Sequence, residues 1–501
     1  MDEKLLAACR AAFESTGDSV TLGAPIEGRD SAPEPLVRIP LSMMNRHGLI
    51  AGATGTGKTK TLQLMAEQLS AAGVPVFLAD LKGDLSGLAA PGEAEARVEQ
   101  RARDTGWDWR PGGVPVEFLS LTGARGAQLR ATVSSFGPLL LSKVLGLNET
   151  QTSVLALVFK LCDERDLELL DFADLRAVLQ YLTGAGAAEL KTYGGISKQT
   201  VGVLLRKMVE LEAQGGQVFF GEPEFDLGDL LQVDRDGRGV VSVLELSDAQ
   251  DKPALFSTFM LWMLARLYND LPEVGDVDRP KLVFFFDEAH LLFSGASKAL
   301  LAQVEQVARL IRSKGVGVFF VTQTPKDVPE DVLAQLGHRI QHALRAFTPN
   351  DQKALRATVQ TFPNSDFYDL EESLTTLGIG EAMVTVLSPR GVPSQPFATR
   401  LIPPSSRMAP LADAELQEQL ARSQQVRRYR EAIDRLSAAE KLVAQAAEAG
   451  AAEAPAARRP EPGTLEKVLR SPVARSVAVT VAGAITRGIL GALRGSRGRG
   501  R

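Results

Sequence analysis

The sequence predicts an α/β fold: a mostly parallel β-sheet sandwiched by helices, with an all-helical insertion and a helical C-terminal extension. Three observations carry this. Short apolar runs alternate with stretches whose apolar residues recur at helical spacing. The runs fall into two groups, one before residue 90 and one after residue 239. Between the groups, residues 125–232 show helical spacing, as in Val154, Leu157, Val158 and Leu161 and again in Val201, Leu204, Leu205 and Met208.

The candidate strands, in order, are Gly48 to Ala51, Pro75 to Ala79, Val240 to Leu246, Leu282 to Phe286, Val316 to Val321, Arg339 to Leu344 and Ala382 to Leu387. The expected organisation follows from them: a core in two parts, residues 1–124 and 233–403, split by the insertion at 125–232. Residues 404–501 form the extension. After Pro403-Pro404, Leu416, Leu420, Tyr429, Ile433 and Leu436 are expected to line one face of a long charged helix, followed by an Ala/Glu/Pro linker near 446–463.

Composition bounds the class. At 501 residues the chain exceeds what one hydrophobic core fills, and 45% hydrophobic with 23% charged residues is an ordinary globular balance. Cys9 and Cys162 give neither a disulfide framework nor metal-ligand spacing, which fits a reducing compartment. Asp2 to Glu14 lacks a secretory apolar core, and Arg475 and Arg487 interrupt the apolar stretch Pro472 to Leu493, so no membrane partner and a cytoplasmic location are expected. A net charge of −5 argues against a uniformly basic nucleic-acid-coating surface. Positive charge gathers instead at the C-terminus, where Arg494 to Arg501 is rich in arginine without interleaved aromatics to stack bases.

Gly52-Ala53-Thr54-Gly55-Thr56-Gly57-Lys58-Thr59 satisfies the Walker A pattern, follows an apolar run and precedes Leu62, Met65, Ala66 and Leu69 at helical spacing. Strand, loop and helix arrive in the order a phosphate cradle needs. Glycines let the loop bring backbone N–H groups close to an anion, and a helix N-terminus favours negative charge there. ATP and Mg²⁺ are the expected ligands, held by residues 52–59 and Lys60: Lys58 would bridge the β- and γ-phosphates and the Thr59 hydroxyl would reach Mg²⁺.

The apolar run Leu282 to Phe286 ends in Asp287-Glu288-Ala-His290, which matches a Walker B element. Asp287 is expected to hold Mg²⁺ and Glu288 to activate the attacking water, while His290 has no firm assignment. The strand Val316 to Val321 ends in Thr322-Gln323, and Gln323 is the sensor candidate because strand C-termini converge on the ligand crevice. Arg312, then Arg309, are the candidates for an arginine delivered to a neighbouring subunit's phosphate, with Arg345 a third.

With these motifs in place, the chain resembles the HerA/FtsK superfamily of ATPases, specifically the HerA-like group. The resemblance runs through Arg46 to Thr59, Asp80-Leu-Lys-Gly-Asp-Leu-Ser-Gly87, Phe286 to His290, Gly315 to Gln323 and Gln335 to Pro349. It implies a RecA-like core, a homo-hexameric ring with ATP at subunit interfaces, and motor activity on double-stranded DNA. It also implies Glu288 as water activator, Gln323 as sensor and Arg312 acting in trans. HerA helicases carry an N-terminal β-barrel, and only residues 1–47 precede the first candidate strand here, so a complete barrel is not expected.

The rival from a different class is an ATP-dependent scaffold or protein-remodelling assembly that binds a protein partner through the helical insertion or C-terminal helix. A two-lobed DEAH helicase needs a second lobe that the sequence lacks. A switch GTPase needs an Asn-Lys-x-Asp segment, and none is present.

Overall fold

The computed structural model describes residues 1–14, 17–293, 298–388 and 390–452. Residues 1–439 form one compact unit and 440–501 a second, of which residues 440–452 are described and belong to the helix Ala438–Ala452. The linker beyond 452 and the arginine-rich ending expected from the sequence lie outside the described residues.

One sheet of thirteen strands organises the first unit. In chain order they are β1 (Ser19–Glu27), β2 (Asp30–Ser31), β3 (Val37–Pro40), β4 (Gly48–Ala51), β5 (Val76–Asp80), β6 (Val116–Ser120), β7 (Ala127–Gln128), β8 (Val241–Glu245), β9 (Leu282–Phe286), β10 (Val316–Thr322), β11 (His338–His342), β12 (Glu381–Thr385) and β13 (Phe397–Leu401). Their spatial order is β2-β1-β13-β12-β11-β4-β10-β9-β5-β8-β6-β7, with β3 on β1. From β11 through β7 every pairing is parallel. From β11 back to β1 every pairing is antiparallel, including the strand expected near Ala382 to Leu387.

The central strands are buried on both faces, which is why they read as continuous apolar runs rather than alternating ones. In β9, Phe284 packs 5.1 Å from Phe77 on one face, while Phe285 stacks 5.2 Å from Phe319 on the other. Helix α1 (Glu3–Phe13) is capped by Asp2 and sets Phe13 5.4 Å from Phe397. Helix α2 (Lys58–Ala71) buries Leu62, Met65 and Leu69 in the same core cluster as Phe285 and Phe319. On the opposite face the helix Pro253–Asp270 brings Phe259 to 6.5 Å from Phe77.

Helix α3 (Ala96–Thr105) follows β5. Residues 125–232 then hold one short strand, β7, and four longer helices: α4 (Val133–Leu145), α5 (Glu149–Glu164), α6 (Phe172–Leu182) and α7 (Lys198–Leu211). Asn148 and Asp171 close capping boxes on α5 and α6, satisfying first-turn N–H groups that the helices cannot. Phe136, Phe219 and Trp262 join this region to the sheet-covering helix, Phe219 lying 6.1 Å from Phe136 and 6.4 Å from Trp262.

The single long helix expected after Pro404 is not formed. Two short helices, Asp413–Arg422 and Gln424–Tyr429, take its place. Ser423 has extended dihedrals and caps the second helix by accepting the Val426 N–H at 2.9 Å, so the break is built from a residue that prefers caps to helix interiors. Leu416, Leu420 and Tyr429 are buried, whereas Ile433 and Leu436 lie exposed between Tyr429 and the helix Ala438–Ala452.

Candidate nucleotide site

The site forms where parallel strands end together. In register, Ala51 of β4 lies beside Thr322 of β10, and Phe286 of β9 beside Phe320. Strand β10 therefore separates the glycine-rich loop from the paired acids while bringing both to one edge. Gly52 (φ 153°) has its place because a Cβ there would meet the His342 Cβ at 2.5 Å. The loop closes with Thr56 donating to the Ala53 carbonyl at 2.7 Å, and α2 begins at Lys58, whose first-turn N–H groups have no partner within the helix.

Lys58 is 9% exposed and folds back on its own loop, its Nζ donating to the carbonyls of Gly52 at 2.7 Å and Ala53 at 3.1 Å. Burial lowers its pKa, and the charges of Glu288 and Asp287 oppose that shift, so the lysine and the acids share one field. Lys60 points away, donating to Gln63 Oε1 at 3.2 Å and to the Met408 carbonyl. Thr59 is half-buried, Thr54 and Gly55 exposed.

Asp287 and Glu288 are both buried. Glu288 has a positive φ of 48°, uncommon for a non-glycine residue. Its Oε1 accepts from Lys82 and its Oε2 lies 3.2 Å from His290 Nδ1. Asp287 Oδ2 is buried without a hydrogen-bond partner among the described residues. Burial first, then the charges of Glu288 and Asp84, push the Asp287 carboxyl up to about 7.

An orphaned, reluctantly ionised oxygen of this kind fits a hard divalent cation, which would restore its charge. The described residues offer no cluster of three or more His, Cys, Asp or Glu to cage a metal. Mg²⁺ suits such a place, since it takes one or two protein oxygens and completes its shell with water and phosphate.

Gln323 is exposed just past β10. The turn beneath it is fixed by Asp327, which accepts from the Thr322 hydroxyl at 2.6 Å and the Thr324 N–H at 2.9 Å. Arg309 and Arg312 lie elsewhere: they line a recess of about 460 Å³ at the opposite, N-terminal ends of β4, β10 and β11. Arg46 and Arg339 line the same recess. Asp276 Oδ1 stands 3.5 Å from both Arg46 and Arg312, leaving positive charge in excess. Arg345 is exposed beyond β11.

Several further residues shape the site without a role of their own in the motifs. His342 is fully buried at the end of β11, its Nε2 2.9 Å from the Thr61 hydroxyl; burial, then Lys58, lowers its pKa to about 4, so it backs the loop as a neutral ring. Asp80, at the end of β5, accepts the N–H groups of Lys82, Gly83, Asp84 and Leu85 at 3.2, 2.8, 3.3 and 2.9 Å and fixes that turn. Both lie in segments that carry the family resemblance, Asp80 to Gly87 and Gln335 to Pro349, but no role follows from the residue types alone. A second recess, about 310 Å³, adjoins the loop and is walled by Lys60, Leu64, Arg101, Ile379, Pro403 and Met408.

This sheet order, with β10 between loop and acids, defines a P-loop NTPase of RecA-like fold. The sequence matches the family described as Helicase HerA-like C-terminal over residues 27–464, and the chain belongs to that family. It is 25% identical over 366 residues to the DNA double-strand break repair helicase HerA of Sulfurisphaera tokodaii, and 23% over 355 residues to that of Sulfolobus acidocaldarius. Each match covers 70% of this chain and 64% of the relative, so the likeness spans less than two thirds of those proteins. The bacterial conjugative coupling protein TrwBdeltaN70, in its unbound monoclinic form, shares the fold with a TM-score of 0.51 at 15% identity, covering 81% of this chain and 93% of that one. Among the described residues, no helix is long and apolar enough to cross a membrane.

Proposed function

We propose that this chain is a Mg²⁺-dependent ATPase that works as a homo-hexameric ring of HerA/FtsK type, translocating on or unwinding double-stranded DNA in the cytoplasm. The observation that carries the catalytic part is the convergence of the Gly52 to Thr59 loop and of Asp287 and Glu288 at one edge of the sheet, on either side of β10. The recess walled by Leu64, Ile379 and Met408 adjoins the loop and would take the nucleoside, with the triphosphate along the loop from Gly52 to Lys60. Lys58 exchanges the carbonyls of Gly52 and Ala53 for the β- and γ-phosphates. Asp287 and Thr59 would hold Mg²⁺, which would supply charge neutralisation to the phosphates.

Glu288 orients and deprotonates the attacking water, and Gln323 reports on the terminal phosphate from the end of β10. Arg312 and Arg309 sit at the far ends of the strands and serve a neighbouring subunit's nucleotide, with Arg46 and Arg339 beside them. The relatives named as DNA repair helicases support DNA as the polymer.

A second reading, an ATP-dependent scaffold or protein-remodelling assembly, is favoured by the net charge of −5 and by exposed Leu139 and Val209 on the helical insertion. Turnover measured with duplex DNA across a salt series separates the two. Stimulation that falls steeply with salt supports the DNA motor, since each neutralised phosphate releases a counterion. Turnover indifferent to DNA removes that reading.

A further inference from the structure

The segment Asp80 to Gly87 is the one quoted motif without a role. Its turn is held rigidly, because the Asp80 carboxylate takes four successive backbone N–H groups. One long side chain leaves that anchored turn toward the acids: Lys82, about half exposed, whose ammonium ends on the buried Glu288 carboxylate. Burial draws the Lys82 pKa down, but the hydrogen bond and charge of Glu288, with Asp287 and Asp84 behind, more than offset it. Among the charges that bear on Lys58, those of Glu288 and Asp287 raise its pKa and that of Lys82 lowers it, so Lys82 and Lys58 face the same acids.

Glu288, the proposed base, thus has a protein ammonium as its partner. Lys82 takes one oxygen of that carboxylate, Oε1, and so fixes which way the side chain points. An arriving terminal phosphate offers that ammonium a more highly charged partner.

We propose that Lys82 is a positioning residue that holds Glu288 in the nucleotide-free site and transfers to the γ-phosphate when ATP binds, freeing the carboxylate for water. This rests on residues 52–59 being the triphosphate cradle. Lys82 then acts twice: it discriminates triphosphate from diphosphate, and it couples that discrimination to release of the base.

The test is equilibrium binding of a fluorescent non-hydrolysable ATP analogue and of fluorescent ADP to the full chain and to the variants Lys82→Ala, Lys82→Arg, Glu288→Gln and the Lys82→Ala/Glu288→Gln double. Because Glu288 and the γ-phosphate compete for one ammonium, Glu288→Gln tightens the triphosphate analogue by about five- to tenfold in the parent, the range of a coupled charge pair. In the Lys82→Ala background that gain shrinks to about twofold or less. Lys82→Ala alone weakens the triphosphate analogue and leaves ADP unchanged, which also reports an intact fold, and Lys82→Arg restores the triphosphate preference. A Glu288→Gln gain equal or larger without Lys82 is simple relief of repulsion and overturns the proposal, as does equal weakening of both nucleotides by Lys82→Ala. Failure of Lys58→Ala to weaken either nucleotide would instead remove the underlying cradle assignment.

Discussion

Glu67, on the phosphate-loop helix α2, accepts the backbone N–H of Ser405 at 2.7 Å and both the N–H and the hydroxyl of Ser406, at 3.0 and 2.8 Å. Burial outweighs these hydrogen bonds and raises its pKa from 4.5 to about 7. Below about pH 4.5 the folded and unfolded chains both carry this proton; between about 4.5 and 7 only the folded chain does. Stability therefore falls as pH rises through that window and is constant above it. Glu67→Gln abolishes this contribution, so the variant gains on the parent by on the order of 1–3 kcal/mol between pH 5 and 8. Urea unfolding at the two pH values measures it, and an unchanged difference refutes the assignment.

Lys58→Ala removes the charged donor from the cradle. Nucleotide affinity is expected to drop roughly 10- to 100-fold, the worth of charge-assisted hydrogen bonds. Titration with a labelled ATP analogue checks this, and near-parent affinity would place the triphosphate elsewhere.

Glu288→Gln keeps the shape of the side chain and removes its basicity. Turnover should fall by about 10²- to 10⁴-fold with ATP binding retained. Steady-state phosphate release is the assay, and parental turnover would exclude Glu288 as the base.

Arg312→Ala is expected to lower turnover by about 10³-fold without loss of binding. Mixed with subunits dead only at Glu288, it should recover activity, because one subunit supplies the base and its neighbour the arginine. If no mixing ratio gives recovery, Arg312 acts within its own subunit or only structurally.

Much of this architecture is legible in the sequence because the central strands bury both faces. All seven candidate strands occur, since runs such as Leu282 to Phe286 suit no other environment in a sheet covered on both sides. The outer strands β1, β3, β6 and β13 escaped. In β1, Gly23 and Pro25 dilute the strand signal, yet Gly23 is required: a Cβ there would lie 2.0 Å from the Arg400 carbonyl oxygen on β13. After Pro404 the apolar spacing continues across Ser423 as if one helix ran through it, while the capping preference of one serine decides the break. Motif residues such as Lys58, Asp287 and Glu288 announce themselves by local pattern. Lys82, Asp80 and His342 lie in segments that carry the resemblance, yet their roles stay hidden, because these depend on which distant strand end they face, and pairing order is invisible to local spacing.

The tie between α2 and the residues after β13 sets the smallest piece of this protein that can stand alone. Lys60, Gln63 and Glu67 all spend their polar atoms on residues 405–408. A chain cut after β13 would strip one wall from the 310 Å³ recess and leave a carboxylate and an amide, both now buried, facing solvent. Any minimal catalytic fragment must therefore extend past Met408, however complete its motifs look.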